Sequence, residues 1–149
     1  MKKIKVAVIG TGNISNSHIP AYLKNENVEL YALCDINEEV LRKAGERYGI
    51  DRLYTDEAEM LKALPEIDAV SVCTWNSAHA PCTIMALEAG KDVLCEKPMA
   101  LNAKEAQAML DTAKRCGRKL MVGFVRRFGN DAAVMQDFIN GGAVGEIYY

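Results

Sequence analysis

Residues 6–18 read "VAVIGTGNISNSH": an apolar run, two glycines two apart, and then a stretch suited to a helix. A dinucleotide-binding loop is usually written G-x-G-x-x-G between a strand and a helix, and here the third place holds Ser15. Gly10 permits the sharp turn, and Gly12 lets the main chain approach a pyrophosphate with no Cβ in the way. The helix, expected to start near Asn13, offers free N–H groups and the positive end of its dipole to phosphate. A third glycine serves close helix–strand packing, so Ser15 is expected to loosen that contact slightly and spare the phosphate site. On the loop alone, a plain strand–helix turn that binds nothing is the competing reading.

Working outward, short apolar runs alternate with helical patterns along the whole chain. Strands are expected at 3–9, 28–34, 69–74, 92–95 and 120–125, with a shorter one at 53–55. Their near-continuous Val, Ile, Leu and Ala content fits strands buried on both faces, as in a parallel sheet. Helices have readable ends: Asn37 to Gly49, Ser77 or His79 to Gly90, Asn102 with Glu105 to Gly117, and a last one over 130–142. Repeated strand–helix–strand units predict an α/β, doubly wound parallel sheet. Asp35 ends the second strand, some twenty-odd residues past the loop, where an acid accepts hydrogen bonds from the adenosine ribose. Such an acid repels a 2′-phosphate, so NAD is expected rather than NADP. A methyltransferase-type site would carry an acid just before the glycines, where Val8 and Ile9 stand instead.

The 149 residues suit one domain; half are hydrophobic, about a quarter are charged, and the formal net charge is −2. No basic stripe marks a nucleic-acid partner, and no apolar run approaches the roughly 18–20 residues that span a bilayer. Lys2, Lys3 and Lys5 ahead of Val6–Ile9 imitate a signal peptide, but the run stops at Gly10, short of an h-region of about 7–15 residues. Five cysteines, with no C-x-x-C pair, point to small buried hydrophobes in a reducing compartment, the cytoplasm by default, and to no metal site.

Ligands of open α/β sheets gather outside the carboxyl ends of the strands. Three stretches fall there: "CTWNSAH" at 73–79, "CEKPMA" at 95–100 and "GFVRRFG" at 123–129. In the second, Pro98 stiffens the turn and presents Lys97 in a fixed direction, to relay or steady a proton on a substrate hydroxyl; a solvated lysine paired with Glu96 is the bland alternative. His79 at a helix start is more often a cap or a structural histidine, and Arg126 and Arg127 either touch ligand or face water.

With "VAVIGTGNIS", "ALCDIN", "TWNSAH", "CEKPMA", "GFVRRF" and "GGAVGEI", the chain resembles the Gfo/Idh/MocA oxidoreductases over essentially all its length. The resemblance implies an N-terminal Rossmann domain for NAD(P) over 1–125. Residues 126–149 would then form a connecting helix and the first residues of a C-terminal α+β substrate domain absent from this chain. It implies hydride transfer between nicotinamide and a sugar, cyclitol or related small hydroxyl or carbonyl compound, with the 149 residues alone binding cofactor but turning over poorly or not at all. By position, Gly10, Gly12, Asn13 and Ile14 would line the pyrophosphate, Asp35 the adenosine ribose, and Thr74, Asn76 and His79 the path toward nicotinamide. Glu96 would hold the nicotinamide ribose, Lys97 would be the catalytic lysine, and Arg126 would lie near nicotinamide or substrate. Trp75 departs from the proline the family often has, and the family's usual second-domain acid–base partner has no counterpart here. A non-catalytic NAD(P)-binding sensor or interaction module is the alternative. Pairing of copies into a homo-oligomer through a strand at "GEIYY" is also expected.

Overall fold

Six strands form one parallel sheet in the order β3-β2-β1-β4-β5-β6. They are β1 (Ile4–Ile9), β2 (Val28–Cys34), β3 (Leu53–Tyr54), β4 (Ala69–Val72), β5 (Asp92–Cys95) and β6 (Leu120–Val122). The computed structural model describes residues 2–146 and 148, so two residues of the strand expected at "GEIYY", Ile147 and Tyr149, lie outside the described residues. Helices α1 (Ser15–Lys24) and α2 (Glu38–Tyr48) connect the first three strands, and α3 (Glu57–Ala63) precedes β4. Beyond it come α4 (His79–Glu88), α5 (Ala103–Cys116) and α6 (Asn130–Asn140). None of the helices described is long and apolar enough to cross a membrane.

Alternation along β1 sorts the core into two layers. Val8 packs with Ile19 of α1, Leu33 of β2 and Leu41 of α2, whereas Ala7 and Ile9 pack with Met60 of α3, Leu87 of α4 and Met109 of α5. Both faces of the central strand are therefore dry, which is why its sequence is a continuous apolar run rather than an alternating one.

Two expected strand ends are corrected, and one helix is added to those read from the sequence. Strand β4 stops at Val72: Cys73 N–H still reaches the Ile9 carbonyl of β1, but the chain beyond it turns off into a 3-10 turn over Asn76–Ala78. Strand β6 stops at Val122, because Phe124 N–H turns back to the Val122 carbonyl and Val125 N–H to that of Gly123, starting a 3-10 turn over Val125–Phe128. The helix α3, capped by the Asp56 side chain on Glu59 N–H, was not foreseen. The expected caps Asn37 and Asn102 accept from Val40 and Glu105 N–H, and Gly49 and Gly117 close their helices in the left-handed conformation.

Candidate dinucleotide-binding site

The strand order reverses at β1, which lies between β2 and β4. Chains leaving β1 and β4 at their carboxyl ends diverge to opposite faces of the sheet, and a crevice opens between them. A cleft of about 810 Å³ fills that place, lined among others by Gly10, Gly12, Asp35, Thr74, Glu96 and Lys97. Its size lies within the range of roughly 300–1,000 Å³ typical of small-molecule sites.

The two glycines of the loop answer to different demands. Gly10 has φ +88°, and a Cβ there would stand 2.6 Å from the main-chain carbonyl of Cys73, so the protein's own packing forbids a side chain. A Cβ on Gly12 would meet nothing within 4 Å. Nothing in the protein requires Gly12 to be bare; a ligand resting on the main chain would. The start of α1 is open in the same sense: no side chain caps it and no acid occupies its first turn. Helices α2, α3 and α5, by contrast, each carry a side-chain cap and at least one first-turn acid. Helix α4 shares the lack of a side-chain cap and of a first-turn acid, so an anion at the glycine loop would meet N–H donors and a positive dipole end with no carboxylate in the first turn to oppose it. These features fit a pyrophosphate. Ser15 corrects the expectation of looser packing, because it is buried and its hydroxyl donates to the Gly12 carbonyl at 2.7 Å.

Asp35 stands beside the loop at the end of β2. Its Oδ2 accepts from Thr11 N–H at 2.7 Å and from the Thr11 hydroxyl at 3.1 Å, while Oδ1 accepts from Asn37 N–H at 2.9 Å. A carboxylate has about four lone-pair directions, so roughly one on Oδ1 stays open for a hydroxyl from the cleft. Asp56 and Glu57 line the same end and make it acidic. Among the described residues no His, Cys, Asp and Glu cluster is arranged to hold a metal.

At the opposite end the chain from β4 brings Thr74, Trp75, Asn76 and His79 to the cleft. His79 is buried, with Nε2 3.1 Å from the Thr74 carbonyl and Nδ1 2.6 Å from that of Pro98. Both ring nitrogens face main-chain carbonyls and the one that carries the hydrogen donates, so His79 braces the end of β4 against the turn after β5. Glu96, only 5% exposed, accepts Lys97 N–H on Oε2 at 3.0 Å and meets His18 Nε2 with Oε1 at 2.8 Å. Lys97 is exposed, lines the cleft and joins Pro98 through a cis peptide bond. Asn13 and Ile14 also line the cleft, but Arg126 and Arg127 do not; the Arg126 side chain is 94% exposed, 3.9 Å from Asp131.

His18 was missed by sequence reasoning. It lies three residues from buried Ser15 and four from Tyr22 on one face of α1, so a polar residue at inward helical spacing was the available signal. Cys34, Cys73 and Cys82 also line the cleft. Burial pushes the Cys34 and Cys73 thiols up to about 12 and Cys95 up to about 11, and raises Cys82 as well, so none is a thiolate at neutral pH.

Residues 4–124 match the family model described as an oxidoreductase family with an NAD-binding Rossmann fold. A D-glucoside 3-dehydrogenase of Escherichia coli K12 is 38% identical over 146 residues, covering 97% of this chain and 41% of that protein. The WlbA dehydrogenase of Bordetella pertussis, solved with NADH and UDP-GlcNAcA, superposes with a TM-score of 0.93 at 30% identity over 99% of this chain and 45% of its own. Scyllo-inositol dehydrogenase of Lactobacillus casei, solved with NAD(H) and scyllo-inositol, gives 0.90 at 26% identity over 98% of this chain and 43% of its own. The chain thus spans about two fifths of the length of these relatives. Open glycine turn, strand-end acid and matched sequence coincide in one crevice, and on them the chain belongs to the Gfo/Idh/MocA oxidoreductases as an NAD-binding Rossmann fold.

Proposed function

We propose that this chain is the cofactor-holding part of a dehydrogenase that moves hydride between NAD and a hydroxyl or carbonyl carbon of a sugar, cyclitol or related small molecule. The observation that carries the reading is the bare Cα of Gly12, where a side chain would meet nothing within 4 Å of the protein, facing a cleft that also holds Glu96 and Lys97. Main chain at Gly10, Gly12, Asn13 and Ile14 holds the pyrophosphate. Asp35 takes an adenosine ribose hydroxyl on its free lone pair, and with Asp56 and Glu57 nearby it disfavours a 2′-phosphate, hence NAD over NADP.

Bound nicotinamide supplies the acceptor or donor of hydride. Thr74 and Asn76 line its path, His79 keeps that path in shape through Thr74 and Pro98, and Glu96 takes the nicotinamide ribose. The Lys97 ammonium, free of any ion pair among the described residues, hydrogen-bonds the substrate oxygen and holds or passes its proton. Residues 126–149 lead toward a substrate-binding part. The exposed apolar side chains Phe128, Met135 and Phe138 support that reading, and so does the coverage of two fifths of the relatives. The relatives' names, a glucoside and an inositol dehydrogenase, support the substrate class.

Titration of the chain with NADH and with NADPH, followed by Trp75 emission and by calorimetry, tests the assignment. Saturable NADH binding with much weaker NADPH binding is expected. Equal binding of both removes Asp35 as selector, and binding of neither removes the cofactor site.

A further inference from the structure

His18 ties the helix that follows the glycine loop to the far end of the cleft. Its Nε2 lies 2.8 Å from Glu96 Oε1, across 78 residues of sequence, and its Nδ1 lies 2.9 Å from the Ser71 hydroxyl on β4. A carboxylate only accepts, so Nε2 carries the hydrogen; Nδ1 then takes the hydroxyl hydrogen of Ser71, a tautomer set by the partners. The second oxygen of Glu96 is held by Lys97 N–H, and bare Gly123 leaves room for the first, since a Cβ there would come within 3.2 Å of Oε1. No Lys or Arg pairs with Glu96 among the described residues, so His18 is its one side-chain partner of opposite potential charge.

A buried carboxylate stripped of its donor does not stay where it was; it turns toward water or takes up a proton. The water available to Glu96 is in the cleft. We propose that His18 is a positioning residue: acting through Glu96, it fixes the nicotinamide-ribose end of the cleft relative to the pyrophosphate loop. One rigid helix thereby sets both ends, its N-terminus facing the phosphates and its His18 ring holding the acid. This rests on the reading that Glu96 faces the nicotinamide ribose.

Calorimetric titration with NADH and with ADP, which lacks the nicotinamide riboside, separates the ends. His18→Gln extends an amide to about the place of Nε2 and keeps a donor on Glu96. His18→Asn reaches only about as far as Nδ1 and keeps the Ser71 contact alone. The Gln variant should bind NADH within about threefold of the natural chain, and the Asn variant about tenfold more weakly, with ADP affinity the same in all three. Equal NADH binding by both variants, or loss of ADP in step with NADH, overturns the proposal.

Should the Asn variant fail to fold, Glu96→Ala alone and with His18→Ala replaces it, because the pair leaves no unpaired buried carboxylate. Action through Glu96 predicts that the double variant binds NADH as the single does, and a further loss of tenfold overturns it. A natural chain that takes neither NADH nor ADP overturns the cofactor reading itself, a result distinct from losses confined to the variants.

Discussion

Asp35 and Glu96 stand at the two ends of one cleft, and each follows a strand that closes on a cysteine: Cys34 ends β2 and Cys95 ends β5. They are secured in opposite ways. Asp35 is half-buried and held by Thr11 and Asn37, two polar neighbours in the loops on either side of it. Glu96 is buried, and besides Lys97 N–H it depends on an imidazole from another layer of the fold. The first acid keeps a lone pair for a ligand and lends the others to the loop. The second accepts one donor on each oxygen, so by the same count about two lone pairs stay open, but both of its oxygens are fixed in place before a ligand arrives. One end is a local turn with a spare acceptor; the other is a tertiary assembly.

The sharpest break in that comparison comes from the glycines. Gly10→Ala should cost roughly 3 kcal/mol, with a fall in Tm of about 10 °C, because it brings strain at positive φ and a clash with the Cys73 main chain. Gly12→Ala should leave Tm within about 1 °C yet weaken NADH by more than about tenfold. A parallel loss of stability in both would mean that Gly12 serves the fold after all.

Next in size, Asp35→Ala should weaken NADH and ADP alike by about 2 kcal/mol, roughly 30-fold, whereas Glu96→Ala should weaken NADH and spare ADP. Titration calorimetry of the two variants reads this directly, and an effect of Glu96→Ala on ADP would merge the two ends into one.

The cysteines preceding the acids give a milder, alkaline test. Burial first, then the charges of Glu57, Asp35 and Asp56, push the Cys34 thiol up to about 12; burial pushes Cys95 up to about 11, partly offset by Thr83. A raised folded value means that the stability each thiol contributes is complete below about pH 9 and declines as pH climbs through the folded value. From pH 9 to 10 each should cost about 1 kcal/mol, read as Tm against pH. The Cys95 contribution should be spent near pH 11 and that of Cys34 should persist to about 12. Smallest of all, Ser15→Ala should lower stability by about 1 kcal/mol, a Tm fall of about 3 °C, by freeing the Gly12 carbonyl.

What sequence conveyed followed the same division. The Asp35 end was legible because its parts are short-range: strand, glycines, acid and the Asn37 cap lie within the 34 residues from Ile4 to Asn37 and obey turn and capping rules. The doubly wound parallel sheet followed from the alternation of runs, while the ends of β4 and β6 did not, because the turns that close each strand are set by main-chain bonds that carry no side-chain signature. His79 could be read as a structural histidine at the site, but its partners could not be named, since they are two carbonyls that carry no side-chain signature. His18 stayed hidden for a plainer reason: a single imidazole on a helix acquires meaning only when β4 and β5 bring Ser71 and Glu96 to it.

The reversal of strand order at β1 also bears on how the chain comes to be folded. The first half can assemble from neighbours in sequence, whereas β4 joins β1 only by closing a loop of 63 residues, from Val6 to Ala69. Until that closure there is no cleft wall at Cys73 and Thr74, and no Ser71 or Glu96 for His18 to meet. Contacts of such separation form late in most small domains. NADH should therefore act as a brake on unfolding, lengthening the lifetime of the folded chain while leaving the speed of its folding unchanged.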